Sequence, residues 1–104
     1  MYEKLANLNR IVDCGIIAVV RAESADQALK IAEACQAGGI QAIEITMTVP
    51  GAVDVIKELV RAYPGKEILV GAGTVLDPET ARACILAGAE FIVCPNLKPD
   101  TIKL

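Results

Sequence analysis

Segments typical of β-strands alternate with segments typical of α-helices along this chain, and that alternation limits its possible folds most. The predicted strands start near residues 15, 41, 67 and 90, a spacing of roughly 25 residues. Alternation at this period predicts parallel strands joined by helices. Two architectures have it: an open doubly wound sheet and a (β/α)8 barrel. A barrel usually needs at least about 200 residues. The 104 residues here would therefore form half of one.

Turn and capping residues set the expected limits of these elements. The four strands are predicted over Gly15–Val20, Gln41–Thr46, Glu67–Val70 and Glu90–Cys94. Four helices are predicted to start at capping or turn residues, namely Ser24, Pro50, Asp77 and Pro99. Tyr63-Pro64-Gly65 breaks the chain before the third strand. A further, amphipathic helix leads the chain, with an apolar stripe made of Leu5, Leu8, Ile11 and Val12.

Composition excludes several classes of function. Apolar residues make up 54% of the chain and charged residues 22%, so we expect a packed core. No apolar run reaches the roughly 18 residues of a membrane-spanning helix, and no signal segment opens the chain. The net charge of −3 leaves no basic stripe for nucleic acid, and three aromatic residues offer no stacking platform. We therefore predict a cytoplasmic protein with neither membrane nor nucleic-acid partners.

The four cysteines do not form a recognisable metal motif. They lie at positions 14, 35, 84 and 94, none in a C-x-x-C arrangement, and the chain has no histidine. A zinc site would have to gather all four thiolates from distant elements. We predict reduced, buried cysteines and no metal site.

Glu44 is the strongest candidate for a catalytic residue. It lies in an Ile-rich segment that otherwise reads as a buried strand, where a carboxylate is costly unless it is paired or faces a wet cavity. Strand alternation places it on the face that turns polar as the strand ends. It is either a general base whose pKa burial has raised, or a carboxylate paired with a cation such as Arg21.

The other candidates also lie where strands are predicted to end, the edge at which parallel α/β folds bind ligands. The run Gly71-Ala72-Gly73-Thr74 is a turn with unusual backbone angles, a weak dinucleotide fingerprint or an anion nest of backbone N–H groups with the Thr74 hydroxyl. Arg21 is a solvated residue or a ligand clamp, and Thr48 is a good strand residue or a substrate hydrogen-bond partner. Pro95 shapes the loop after the fourth strand.

Five segments of the chain, in order, resemble the 2-keto-3-deoxy-6-phosphogluconate (KDPG) and 4-hydroxy-2-oxoglutarate (KHG) aldolases. These segments are GIIAVVR (15–21), AGGI (37–40) with IEIT (43–46), VGAGTV (70–75), and AGAEFIV (87–93) followed by Pro95. The resemblance implies a (β/α)8 TIM barrel. Residues 1–104 would be the N-terminal half of its single domain, an N-terminal helix and about four βα units.

The resemblance also implies a mechanism and residue roles. In this family a lysine on the sixth strand forms an iminium with the substrate ketone, which permits cleavage to pyruvate and an aldehyde without a cofactor. Glu44 would be the acid/base that transfers protons at the carbinolamine and enamine stages. Thr74 with the neighbouring Gly73 would hold the pyruvate carboxylate, and Pro95 would line that pocket. Thr48 stands where some members of the family carry arginine, so the substrate carboxylate would depend more on Arg21 for binding. The full-length family commonly forms trimers.

The Schiff-base lysine itself is not expected in this chain. Its lysines, at positions 4, 30, 57, 66, 98 and 103, fall on predicted helices, helix ends or loops. We therefore predict that the 104-residue chain alone forms no Schiff base. Two alternatives remain open: a small α/β module that binds an anion at Thr74, and a half-barrel that pairs with another copy or with a separate C-terminal chain.

Overall fold

Helices and strands alternate in the predicted order in the computed structural model, which describes residues 2–64 and 67–104. The elements are α1 (Tyr2–Cys14), β1 (Ala18–Val20), α2 (Ala25–Ala37), β2 (Ala42–Thr46), α3 (Ala52–Ala62), β3 (Leu69–Gly73), α4 (Pro78–Ala87), β4 (Phe91–Ile92) and α5 (Pro99–Lys103). Two residues singled out above, Gly65 of the predicted break and Lys66, lie outside the described residues. Within the described ranges, no helix is both long and apolar enough to cross a bilayer.

The four strands form one parallel sheet in the order β1-β2-β3-β4. Glu44 lies opposite Val19 of β1 and Gly71 of β3, and Thr46 lies opposite Gly73. Because side chains on opposed residues of a sheet point to the same face, Val19, Glu44 and the two glycines share one face of the sheet. The sheet follows chain order with every crossover made by a helix, as in one half of a (β/α)8 barrel.

The hydrophobic core lies between the other face of this sheet and the helices α2, α3 and α4. Ile43 and Ile45 of β2 are fully buried in it, together with apolar residues of the three helices. Burying each such side chain contributes about 1.5–3 kcal/mol. The face that carries Glu44 is therefore the inner face, which a complete barrel would enclose.

Side-chain caps fix where two of the helices begin. The Ser24 side chain accepts a hydrogen bond from the Gln27 backbone N–H (3.1 Å), and Asp77 accepts one from Thr80 (2.7 Å). The bond from the Thr80 N–H is the main reason that the pKa of Asp77 lies below its usual value. Both helix starts were predicted from sequence and are confirmed.

Four predicted elements have wrong boundaries. The third strand is Leu69–Gly73 rather than Glu67–Val70. The first strand begins at Ala18 rather than Gly15, which takes a left-handed φ of 75°. The third helix begins at Ala52 rather than Pro50, because Gly51 is its N-cap residue with a φ of 68°. The fourth strand is only Phe91–Ile92 and leaves out both Glu90 and Cys94.

The apolar stripe predicted on α1 does not face the core. Leu5 and Leu8 are each 55% exposed and Val12 is 68% exposed, whereas the polar Asn7 is buried. The Asn7 amide donates a hydrogen bond to the Glu90 carbonyl (3.3 Å), which ties α1 to the start of β4. The helix is attached through its polar residue, while Leu5, Leu8 and Val12 of its apolar stripe are open to solvent and Ile11 is half-buried.

The cysteines are less uniformly buried than predicted. All four are free, but only Cys84 is buried, while Cys14, Cys35 and Cys94 are partly exposed. Burial, with a smaller contribution from the Asp77 charge, raises the pKa of the Cys84 thiol. The thiol contacts the Met47 sulfur at 3.6 Å within the core. This cysteine therefore serves as a packing residue, and within the described residues no three metal-binding side chains cluster.

Candidate active site

The predicted site residues all lie along the edge of the sheet where its parallel strands end. Glu44 is on β2 and Gly73 is the last residue of β3. Arg21, Thr74 and Pro95 follow β1, β3 and β4, and Thr48 follows β2 by two residues. Helical crossovers return the chain to the opposite edge each time, so residues far apart in sequence meet here.

Glu44 is the buried acid of this edge. Only 7% of its surface is exposed, although it stands on the open inner face. A Cβ added at Gly73 would lie 2.5 Å from the Glu44 Cδ and 2.8 Å from its Cγ. The carboxylate therefore lies directly over the Gly73 backbone, in space that any other residue type would fill.

The two glycines of β3 are thus required by packing. A turn was one prediction for Gly71-Ala72-Gly73-Thr74, but Gly71–Gly73 are strand residues. A Cβ at Gly71 would collide with the Phe91 ring, just as one at Gly73 would collide with Glu44. Phe91 was not predicted as a site residue, because its position opposite Gly71 depends on the strand register, which only the structure gives. The ring lies over Gly71 and lines a groove between β4 and α1.

Burial is the dominant influence on the Glu44 carboxyl. Loss of solvent raises its pKa above the usual value, and the positive charge of Arg21 offsets this in part. Among the residues that the structure describes, no ion pair joins the two side chains, and Arg21 itself is exposed. Of the two alternatives for Glu44, the geometry favours a free carboxyl that can exchange a proton, not a carboxylate paired in a salt bridge.

Two threonine hydroxyls form a short chain beside the acid. Thr46 Oγ1 lies 3.3 Å from the Val20 carbonyl oxygen and 2.8 Å from Thr48 Oγ1. A carbonyl can only accept, so Thr46 donates to Val20 and must accept from Thr48. The Thr48 hydroxyl hydrogen is committed to Thr46, which leaves its oxygen as an acceptor towards the open edge. Thr46, buried and hydrogen-bonded, positions Thr48.

Thr74 adopts a conformation that is unusual for its residue type. Its φ is 57°, the only positive value at a non-glycine residue of the described chain. A left-handed threonine costs of order 1–3 kcal/mol and persists only where its surroundings impose it. Such strain clusters at functional sites. The unusual backbone angles predicted for this segment are therefore found at Thr74 alone among its four residues. Pro95, by contrast, lies exposed after β4.

The described part of the chain has no lysine on a strand. Lys4, Lys30, Lys57 and Lys103 lie on helices, and Lys98 precedes α5. An acid with a raised pKa therefore stands at the edge of the sheet without a strand amine beside it.

Comparison with known proteins gives consistent matches. The family model for KDPG and KHG aldolases matches residues 8–104. KHG/KDPG aldolase of Escherichia coli K12 is 34% identical over 88 residues, which cover 85% of this chain and 40% of that protein. A 2-dehydro-3-deoxy-phosphogluconate aldolase of Pseudomonas aeruginosa is 32% identical over 102 residues, 97% of this chain and 46% of that protein.

Solved structures match in the same proportion. KDPG aldolase from Legionella pneumophila, with pyruvate captured as a covalent carbinolamine, is 33% identical with a TM-score of 0.75. The match covers 84% of this chain and 41% of that one. A native KDPGal structure is 38% identical with a TM-score of 0.76 and covers 84% and 42%. The chain thus spans less than half the length of these relatives.

Proposed function

Because this chain belongs to the KDPG and KHG aldolase family, we propose that it supplies the proton-transfer half of a class I aldolase site. The reaction is cleavage of 2-keto-3-deoxy-6-phosphogluconate, 4-hydroxy-2-oxoglutarate or both, to pyruvate and an aldehyde. The amine that forms the Schiff base comes from a strand beyond the four described here. The expectation that residues 1–104 are half of a single barrel domain is part of this proposal.

The observation that carries the proposal is the buried, unpaired Glu44 carboxyl at the carboxyl ends of the strands. Schiff-base chemistry needs a proton donor to release water from the carbinolamine and an acceptor when the carbon–carbon bond breaks. A carboxyl whose pKa is raised by burial can do both in turn. A covalent carbinolamine of pyruvate is the species captured in the Legionella relative.

The remaining candidates divide the binding of the keto acid between them. Gly73 lies against Glu44, and with the strained Thr74 that follows it offers backbone N–H groups and a hydroxyl to the pyruvate carboxylate. Arg21 adds positive charge at the rim, and Pro95 lines the far side. Thr48 offers an acceptor, which suits a substrate hydroxyl better than a carboxylate.

A completed barrel provides the direct test. Residues 1–104 are joined to the remaining segment of the Escherichia coli relative, and pyruvate release is measured from each substrate. Glu44→Gln should lower kcat by roughly 10²–10⁴-fold, the usual contribution of a general acid–base group. Glu58→Gln, on the exposed surface of α3, is the matched control and should leave kcat unchanged. Full activity of the Glu44→Gln chimera would refute the role.

The chain alone gives a second readout. Incubated with pyruvate and borohydride, the 104-residue polypeptide should show no added mass, whereas the chimera should trap one pyruvate. A stoichiometric adduct on the 104-residue chain would show that one of its own lysines is the nucleophile. We expect the completed barrel to form a homo-oligomer, a trimer as the family resemblance implies, and sizing of the chimera checks this.

A further inference from the structure

The end of β2 carries a buried threonine whose hydroxyl joins two strands and a turn. Thr46 is the last residue of β2 and is only 1% exposed. Its hydroxyl lies 3.3 Å from the carbonyl oxygen of Val20, the last residue of β1. The same hydroxyl lies 2.8 Å from that of Thr48, in the turn that follows β2. Burying a hydroxyl is costly unless it forms hydrogen bonds, and this one uses both its hydrogen and an oxygen lone pair.

The turn that carries Thr48 is held in place on both sides. The Val49 N–H donates to the Thr46 carbonyl oxygen (3.0 Å). On the other side, the Met47 N–H donates to the Gly73 carbonyl oxygen of β3 (2.9 Å). Val49 is also buried in the core. Thr48 is exposed, but because both of its neighbours are fixed, its hydroxyl keeps one position relative to the sheet.

The direction of the hydrogen bonds makes Thr48 an acceptor at the open edge of the sheet. Because Thr46 donates its hydrogen to Val20, the Thr48 hydroxyl hydrogen is committed to Thr46. Thr46 shares the inner face with Glu44, two residues earlier on the strand, so the bonded Thr48 oxygen is held at that face as well. A ligand on the inner face therefore meets oxygen lone pairs at this point and no hydroxyl hydrogen.

The Thr46–Thr48 pair lies farther along the strand direction than the acid. Each strand residue advances the chain by about 3.3 Å, so Thr46 stands roughly 6–7 Å beyond Glu44 along β2. In the proposed reaction, Glu44 transfers protons at the carbons on either side of the bond that breaks. The pair therefore faces the part of the substrate that lies beyond those carbons.

The two candidate substrates differ in that part. After carbon 4, which carries a hydroxyl in both, 2-keto-3-deoxy-6-phosphogluconate has a second hydroxyl on carbon 5, whereas 4-hydroxy-2-oxoglutarate ends there in a carboxylate. A hydroxyl donates a hydrogen bond to a fixed acceptor. An ionised carboxylate has no hydrogen to donate, and the acceptor lone pairs repel it.

We propose that Thr48 is a specificity-determining residue that favours the hydroxylated sugar acid over the dicarboxylic acid, and that Thr46 is the positioning residue that keeps Thr48 an acceptor. The inference rests on the proposed function, because it assigns a preference between the two substrates named there. Without the Thr46 hydroxyl, that of Thr48 would rotate freely and donate to either substrate, and the preference would be lost.

Kinetics of the completed barrel test the proposal. The measured quantity is kcat/KM for the sugar acid divided by kcat/KM for the dicarboxylic acid, compared among variants that share one C-terminal segment. Thr48→Val removes the acceptor and should lower this ratio roughly 2–10-fold, the equivalent of one net hydrogen bond, mainly through a higher KM for the sugar acid. Thr46→Val should also lower the ratio, because the Thr48 hydroxyl is then free to donate to a carboxylate.

Three further variants separate positioning from a purely structural role. Thr46→Ser keeps the hydroxyl and should keep the ratio. In a Thr48→Val background, Thr46→Val should produce no further change in the ratio. Thr101→Val is the matched control and should leave the ratio unchanged, because Thr101 is a buried threonine of α5 whose hydroxyl has no hydrogen-bond partner among the described residues. Circular dichroism verifies folding, and the exposed Thr48→Val keeps the test available if Thr46→Val does not fold.

The outcomes separate this inference from the proposed function. A ratio that Thr48→Val leaves unchanged, or that Thr46→Val and Thr46→Ser lower equally, would overturn the inference. A Thr46 of purely structural importance would also overturn it, since Thr46→Val would then weaken both substrates alike. Full activity of the Glu44→Gln chimera would instead contradict the proposed acid–base role and leave the ratio measurable. Where cleavage is slow, calorimetric dissociation constants of the two substrates for that chimera give the same comparison.

Discussion

Replacing Gly73 by alanine tests whether this glycine exists to make room for the Glu44 carboxylate. The new Cβ would lie 2.5 Å from the Glu44 Cδ, well inside van der Waals contact. Overpacking of this kind costs about 1–3 kcal/mol, and the lower backbone entropy of unfolded alanine returns about 0.5–1 kcal/mol. We expect Gly73→Ala to lower the free energy of unfolding by about 1–2 kcal/mol.

The double variant distinguishes a clash with Glu44 from a general intolerance of alanine. In a Glu44→Ala background the colliding atoms are gone, so Gly73→Ala should become neutral or stabilising by about 0.5 kcal/mol. Gly38→Ala is the matched control, because its φ is −80° and a Cβ there meets no atom closer than 3.5 Å. It should change stability by no more than about 0.5 kcal/mol.

Urea unfolding followed by circular dichroism measures all four variants at one protein concentration. The reasoning is refuted if Gly73→Ala costs the same with and without the Glu44 side chain. In that case the glycine would be needed for its backbone and not for the space above it.

The buried Glu44 carboxyl should also make stability depend on pH. Because its pKa is raised, folding takes up a proton between the unfolded value of about 4.3 and the native value, and stability falls as pH rises through that window. Glu44→Gln should thus be more stable than wild type at about pH 7, by a margin that shrinks towards about pH 4; a margin independent of pH would argue against a raised pKa. Ser24→Ala should lower the free energy of unfolding by about 1 kcal/mol through loss of the cap, and Ser24→Asp should not; equal melting of the two variants would exclude capping as the cause. In thiol titration of the native chain, Cys84 should react last because it is fully buried with a raised pKa, and Cys84→Ala should remove the slowest phase. Equally fast reaction of all four thiols would contradict the buried position.

The relation between the acid and its surroundings was only partly visible in the sequence. A carboxylate in an Ile-rich strand marked Glu44, because such a residue has few structural reasons to be there. The pattern could not decide between a salt bridge and a free acid. That choice depends on how close the Arg21 side chain, after β1, comes to the Glu44 side chain on β2. In the fold Arg21 is exposed to solvent, whereas Glu44 lies over Gly73.

The sequence by itself determined the alternation of elements, the parallel sheet and the residues at its carboxyl edge, because these follow from periodicity, capping and chain direction, which are local. Only the tertiary structure decided why the third strand is glycine-rich and which way α1 faces. Gly71 and Gly73 leave the space that the Phe91 and Glu44 side chains occupy. These residues are distant in sequence from the glycines and adjacent to them only across the sheet. The stripe of α1 reads as a core face, yet the helix is held by Asn7 and leaves that stripe open. Periodicity records that a helix has an apolar side, and only packing determines what covers it.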